Sequence, residues 1–295
     1  MFIEIIKAIF YGILEGITEW LPVSSTGHLI LLNELLALNV APELGATFAE
    51  EYWSMFEVMI QLGAILAVVV MFFGKLNPFS RKKDTYEKKR TWRLWAKVCI
   101  ASIPAAFIGI VLDKLLESVS GKDIDGWLYR WEVVALALIV YGILFIVIER
   151  FHRGKESDVS SVDDISYRQA ALIGGFQALA IIPGTSRSGS TILGSRLIGI
   201  SRSAAAEFSF FMGIPAMAGA SLLKGLGFFS YVLEENISVP ISAWIVLLVA
   251  SAVAFGVSMI AIRFLMDFVK RHSFSPFGVY RIVLGVLVIV WFLWR

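Results

Sequence analysis

The chain has 295 residues, 58% of them hydrophobic and 17% charged, with a mean hydropathy of +0.77 and a formal net charge of +2 at pH 7. So little polar surface cannot cover a soluble domain, and the expected fold is an all-α polytopic membrane protein. A charge this close to neutral marks no nucleic-acid partner, and the single cysteine, Cys99, excludes an intrachain disulfide and any multi-cysteine metal cluster.

The chain opens on Met1-Phe2-Ile3-Glu4-Ile5-Ile6-Lys7, with no basic leader or small-residue cleavage site, so the first apolar segment is expected to stay in the mature protein. Apolar runs at 2–21 and 29–38 flank the polar cluster Pro22-Val-Ser-Ser-Thr-Gly-His28. Spans are expected near 54–74, 95–116 and 131–149, each within the roughly 17–25 residues that cross a bilayer. A second short pair, 169–182 and 190–200, flanks Pro183-Gly-Thr-Ser-Arg-Ser-Gly-Ser-Thr191, and further spans are expected near 203–223, 242–264 and 277–294. Nine Trp and eight Tyr suit interfacial anchoring.

Basic residues concentrate between Lys75 and Arg93, between Arg150 and Arg168, and at Lys270 and Arg271, so these connections should be cytoplasmic. The connections with Glu43, Glu50 and Glu51, with Asp113 to Trp131, and with Glu234 and Glu235 should lie outside. An even number of crossings must then separate the second and third basic connections. A hairpin around Pro183 that re-enters from the cytoplasm satisfies this, and Pro183 removes a donor that would continue the helix. By the same logic 2–21 and 29–38 form a hairpin entering from outside, and the two tips meet near the midplane. Non-helical backbone survives at that depth only when buried in protein or lining a wet cavity.

The two clusters align with a one-residue gap, and Glu57 and Gly63 share their spacing with Glu207 and Gly213. A single membrane domain of two inverted repeats is expected, at about 1–149 and 165–295, joined by a linker from Glu149 to Arg168. The count becomes six transmembrane helices plus two re-entrant helix pairs, an arrangement familiar in secondary transporters.

Glu15 and Glu19 share one helical face in an apolar segment, where a charge costs about 2.5–3.5 kcal/mol on insertion scales. The pair suits a divalent cation completed by phosphate oxygens, or one carboxyl stays protonated as an acid. A solvated, interfacial first helix is the plainer alternative. Ser24, Ser25, Thr26 and His28 open a helix whose free N–H groups favour a phosphate, and His28 suits activation of a serine hydroxyl or protonation of a leaving oxygen. Arg187, flanked by Ser186, Ser188, Ser190 and Thr191, offers a forked, permanent charge for phosphate oxygens. Its alternative is an ion pair with Glu15, Glu19 or Glu207. Arg196, Arg202 and Glu207 lie toward the cytoplasmic end and read as structural, while Glu57 and Gln61 share a helical face as polar supports, with Glu207 a further supporting candidate.

Together Glu15-Gly-Ile-Thr-Glu19-Trp-Leu-Pro22-Val-Ser-Ser-Thr-Gly-His28 and Pro183-Gly-Thr-Ser-Arg-Ser-Gly-Ser-Thr191 resemble the two signatures of bacterial undecaprenyl-diphosphate phosphatases of the bacitracin-resistance type. Phe56-Glu-Val-Met-Ile-Gln-Leu-Gly63, Glu207-Phe-Ser-Phe210 and Ser275-Pro-Phe-Gly-Val-Tyr-Arg281 extend the likeness over nearly the whole chain. The resemblance implies hydrolysis of a polyprenyl diphosphate to the monophosphate carrier of cell-wall synthesis, in the bacterial cytoplasmic (inner) membrane, with a site opening to the periplasm. It assigns Glu15 and Glu19 to the acidic signature, Ser25 and His28 to catalysis and Arg187 to phosphate. The expected mechanism has Glu15 and Glu19 holding Mg²⁺ or Ca²⁺, Arg187 with Ser186 and Thr191 gripping the diphosphate, and His28 assisting Ser25; a water nucleophile is the alternative. The sequence is also compatible with a homodimer.

The main rival is a transporter or flippase of a phosphorylated polyprenyl lipid, since fold does not fix function. The type 2 phosphatidic acid phosphatase class is disfavoured, because its nucleophilic histidine would fall at Leu193.

Overall fold

Long apolar runs become long helices wherever nothing interrupts them. The computed structural model describes residues 1–121, 127–128, 130–155 and 157–294. Ten helices carry the architecture: α1 (Phe2–Thr18), α2 (Ser25–Leu36), α3 (Gly45–Met71), α4 (Thr85–Ser120), α5 (Trp131–Phe151), α6 (Tyr167–Ala178), α7 (Arg187–Leu197), α8 (Arg202–Glu234), α9 (Ile241–Arg271) and α10 (Ser275–Trp294). Among the described residues, six are long and apolar enough to cross a membrane, namely α3, α4, α5, α8, α9 and α10. The other four form two short hairpins, α1–α2 and α6–α7, each broken at its polar cluster.

Several helices outrun the apolar segments that announce them. Asp84 and Glu87 close a capping box that starts α4 at Thr85, so much of the basic connection before 95 is helical. Likewise α3 begins at Gly45 and α8 runs to Glu234, which puts Glu50, Glu51 and Glu234 on helix ends rather than in connections. Hydropathy marks where a helix is in lipid, not where its hydrogen bonding stops. Of the connection expected at 113–131, residues 122–126 and 129 lie outside the described residues, as does residue 156 of the linker.

Packing follows a crossed pattern: α1 lies along α9 and α6 along α4, while α3 packs against both α9 and α8, and α5 pairs with α10. Each N-terminal hairpin helix of one half thus rests on a long helix of the other. Lipid supplies little drive to bring helices together, so backbone contact at small residues does it. A Cβ at Gly12 would lie 2.5 Å from the Ala250 carbonyl oxygen, and one at Gly174 2.2 Å from that of Ala101. On the α5–α10 seam, Cβ atoms at Gly142 and Gly278 would each fall within 2.7 Å of the other's carbonyl oxygen.

Inside, Trp20, Phe208, Phe210 and Phe211 form a fully buried aromatic centre, with Trp20 edge-on to Phe210 at 5.3 Å. Outside, Ile103, Phe107, Leu223, Leu248 and Ile260 are exposed on the spanning helices, the surface a bilayer would cover. The two hairpin tips meet within this frame.

Candidate active site

Both tips are built alike. Ser24 caps α2 and Ser186 caps α7; their hydroxyls accept from Gly27 N (3.3 Å) and Gly189 N (3.1 Å), and their φ angles are +75° and +72°. A serine held at positive φ costs about 1–3 kcal/mol and marks a functional segment more often than an accidental one. The first turns that follow, Ser25 and Thr26 on α2 and Arg187 on α7, line one cavity of about 180 Å³ together with Glu19, Gln61 and Ser186. Met217, Ala216 and Ala220 of α8 form its apolar wall.

Glu19, at the end of the first hairpin helix, is the hub. Its Oε1 accepts from Arg187 Nη2 at 3.0 Å and its Oε2 from the Ser25 hydroxyl at 2.8 Å. Its backbone carbonyl accepts from Ser188 Oγ at 3.2 Å. Arg187 also donates from Nη1 to the Ser209 carbonyl at 2.7 Å, and its guanidinium lies 6.0 Å from the Trp20 ring. Two of its five donors are used, while Nε is buried without a hydrogen-bond partner among the described residues. Of the ion-pair alternatives for Arg187, Glu19 is the one observed. The pair spans the two tips and lines the cavity rather than closing it off.

Other expected residues are placed differently. His28 Nδ1 sits 2.7 Å from the Ser24 carbonyl, an acceptor only, so Nδ1 carries the proton; Nε2 lies 2.6 Å from the Tyr280 hydroxyl. His28 therefore faces Ser24 and Tyr280, while Ser25 is given to Glu19. The Thr191 hydroxyl is buried on Arg187 O, Ser188 O and Ser209 Oγ, and Ser188 braces Ser186 and Glu19. Glu207 binds Lys75 at 2.5 Å and Glu149 takes both Arg196 and Arg202, all outside the cavity.

Glu15 lies one turn behind Glu19, fully buried, and neither of its carboxylate oxygens meets a protein N–H or O–H among the described residues. Glu19 and Glu57 both act on it electrostatically. A buried carboxylate with no protein hydrogen-bond donor of its own, one turn from a second carboxylate, fits a hard divalent cation. The described residues include no group of three or more His, Cys, Asp or Glu side chains that would hold one alone. Water and phosphate oxygens would have to complete the shell, which is the habit of Mg²⁺ sites.

Arg281 is a residue of the site's frame to which the sequence motifs alone gave no role. It is completely buried in α10, stacks 5.5 Å from Tyr141, and donates to Pro22 O (3.1 Å), Gly184 O (2.7 Å) and Thr185 O (2.9 Å). One guanidinium thus ties the tip of each hairpin to the other. A lone cation within the apolar run 274–294 was the signal available, since such residues seldom lack a role.

A cleft of hydroxyls, a forked cation and a carboxylate between two broken hairpins, with a second carboxylate buried behind it, defines a multi-pass membrane protein that binds a phosphorylated ligand. Residues 8–287 match the family model described as "Bacitracin resistance protein BacA". An undecaprenyl-diphosphatase of Lactococcus lactis subsp. lactis is 50% identical over 299 aligned residues, covering 99% of this chain and 98% of that protein. Those of Enterococcus faecalis (48%, 99% of each) and Acetivibrio thermocellus (49%, 99% of this chain and 98% of that protein) are similar over the same extent. The chain belongs to the bacitracin resistance protein BacA family.

Proposed function

We propose that this protein hydrolyses undecaprenyl diphosphate to undecaprenyl phosphate and inorganic phosphate, in the bacterial inner membrane, with the cavity opening to the periplasmic side and the hairpins re-entrant. The observation that carries the site assignment is the Ser25–Glu19–Arg187 chain of hydrogen bonds on the wall of one cavity.

The hydrogen bond from the Ser25 hydroxyl to Glu19 supports a step in which Glu19 takes that proton as Oγ attacks the terminal phosphorus. The bond that forms is Oγ–P; the bond that breaks joins that phosphorus to the bridging oxygen, which leaves on the polyprenyl monophosphate. Water then releases inorganic phosphate from Ser25. Arg187 turns its unused donors on the non-bridging oxygens, assisted by the Ser186 hydroxyl and the first-turn N–H groups of α2 and α7. Glu15 and Glu19 would hold Mg²⁺ or Ca²⁺, which supplies charge neutralisation to the diphosphate. Catalysis of this kind is mostly positioning and electrostatics. The prenyl tail follows the apolar wall at Met217 and the exposed Leu222, Leu223 and Leu226 of α8. Every group invoked comes from one chain, so the mechanism calls for no second copy.

The test is phosphate release from farnesyl diphosphate by detergent-purified protein, with and without EDTA. Metal-dependent release that is lost in Glu19→Gln supports the reading. No release with any divalent cation, combined with facilitated movement of labelled lipid across vesicles, would replace it with lipid transport.

A further inference from the structure

Far from the hairpin tips, a second cavity of about 450 Å³ opens where α5 ends and α8 and α10 begin. Its wall carries Glu149, Arg150, Arg153, Arg202, Ser273 and Ser275, with Ile146 on the membrane side. Glu149 is only 3% exposed and already occupied: Oε1 accepts from Arg196 Nε at 3.2 Å, and Oε2 from Arg202 at 2.5 and 2.8 Å. Its charge is offset inside the protein. Among the described residues, Arg150 and Arg153 are exposed and have no ion-pair partner, so the cavity is strongly positive.

The surroundings add a second chemistry. Ile146 packs on the α5–α10 seam beside Gly278, and Ile143, Val147, Val279 and Val283 continue from it as exposed apolar surface. Positive charge at one end and a lipid-facing apolar track at the other describe the complement of an anionic amphiphile. The positive-inside distribution puts this end of the helices in the cytoplasmic leaflet, where anionic lipids gather and where basic pockets between helices take their headgroups.

We propose that this cavity is a headgroup site for an anionic glycerophospholipid of the cytoplasmic leaflet, its phosphate held by Arg150, Arg153 and Arg202 and its acyl chains lying along the α5–α10 seam. The hydroxyls of Ser273 and Ser275 supply neutral donors to the same phosphate. The site is independent of the hydrolytic cavity and does not rest on its chemistry.

Native mass spectrometry of the purified full chain, titrated with phosphatidylglycerol and with phosphatidylcholine, tests it. Phosphatidylglycerol should bind the more tightly. Each arginine near a membrane surface is worth about fivefold, so Arg150→Gln with Arg153→Gln should weaken phosphatidylglycerol roughly thirtyfold, and Arg153→Gln alone about fivefold. Phosphatidylcholine binding, the melting temperature and phosphate release from farnesyl diphosphate should not change. Equal affinity for the two lipids, or a phosphatidylglycerol affinity unmoved by the double substitution, overturns the proposal. Displacement of phosphatidylglycerol by an equal concentration of inorganic phosphate would also overturn it, because the site would then recognise a free anion.

Discussion

Arg187 is held by both arms of its fork before any ligand arrives. Without ligand its Nη2 balances Glu19 and its Nη1 is pinned by the Ser209 carbonyl, which fixes the plane in which the remaining donors point. Arg187→Ala should lower kcat/KM for farnesyl diphosphate by at least about 10²-fold. Arg187→Lys should recover little of it, since a point charge cannot span two oxygens. Ser25→Ala distinguishes the nucleophiles: phosphate release should fall at least 10²-fold if Oγ attacks, and undiminished turnover would establish water as the attacking group. Arg281 acts on geometry instead. It donates three bonds to carbonyls, each worth roughly 1.5 kcal/mol or more from a charged donor, so Arg281→Gln should lower both the melting temperature and kcat. Tyr280 belongs with it: Tyr280→Phe removes the partner of His28 Nε2, and a changed pH profile with KM unaltered would show that His28 takes part in proton movement.

At the level of helices, close backbone contact makes the frame intolerant of bulk. Gly278→Leu would drive a side chain into the Gly142 carbonyl and Phe145, and should destabilise the protein by about 1–3 kcal/mol or block insertion of the α5–α10 pair. The linker is docked by charge. Arg90 holds the Asp163 carboxyl below the usual carboxylate range by hydrogen bonding to it. That contribution is complete at neutral pH and lost as pH falls through the lowered value. Asp163→Asn should therefore reduce thermal stability at pH 7, and by progressively less as the pH falls below the usual carboxylate range. Much of this level was legible beforehand. The six long spans and the two hairpin breaks follow from apolar runs interrupted by costly residues, whereas the ion pair of Arg187 with Glu19 entered only as the alternative to its phosphate role. Helix ends were not, because the capping box at Asp84 and the extension of α8 to Glu234 are set by hydrogen bonding in polar surroundings. Nor was the partner of Ser25. Ser25, Glu19 and His28 lie within ten residues, and their spacing alone does not say that the hydroxyl goes to Glu19 while His28 turns to the Ser24 carbonyl.

Across the whole molecule, the two halves share a site neither contains. Glu19 and Ser25 come from the first hairpin, Arg187 and Ser186 from the second, and the crossed packing of α1 on α9 and α6 on α4 holds the hairpins in register. Chelation should report on that shared centre: EDTA should abolish phosphate release, and added Mg²⁺ or Ca²⁺ should restore it without refolding. Arg281 lies in the last helix, 259 residues after the Pro22 carbonyl it grips. At about 5–20 residues per second, a ribosome takes roughly 13–50 s to travel between them. Throughout that interval the acidic hairpin is already made but its keystone is not, so an incomplete chain waiting in the translocon carries no working centre. A chain ending before α10 should insert and yet be inert, and activity becomes a property conferred only once α10 has been made.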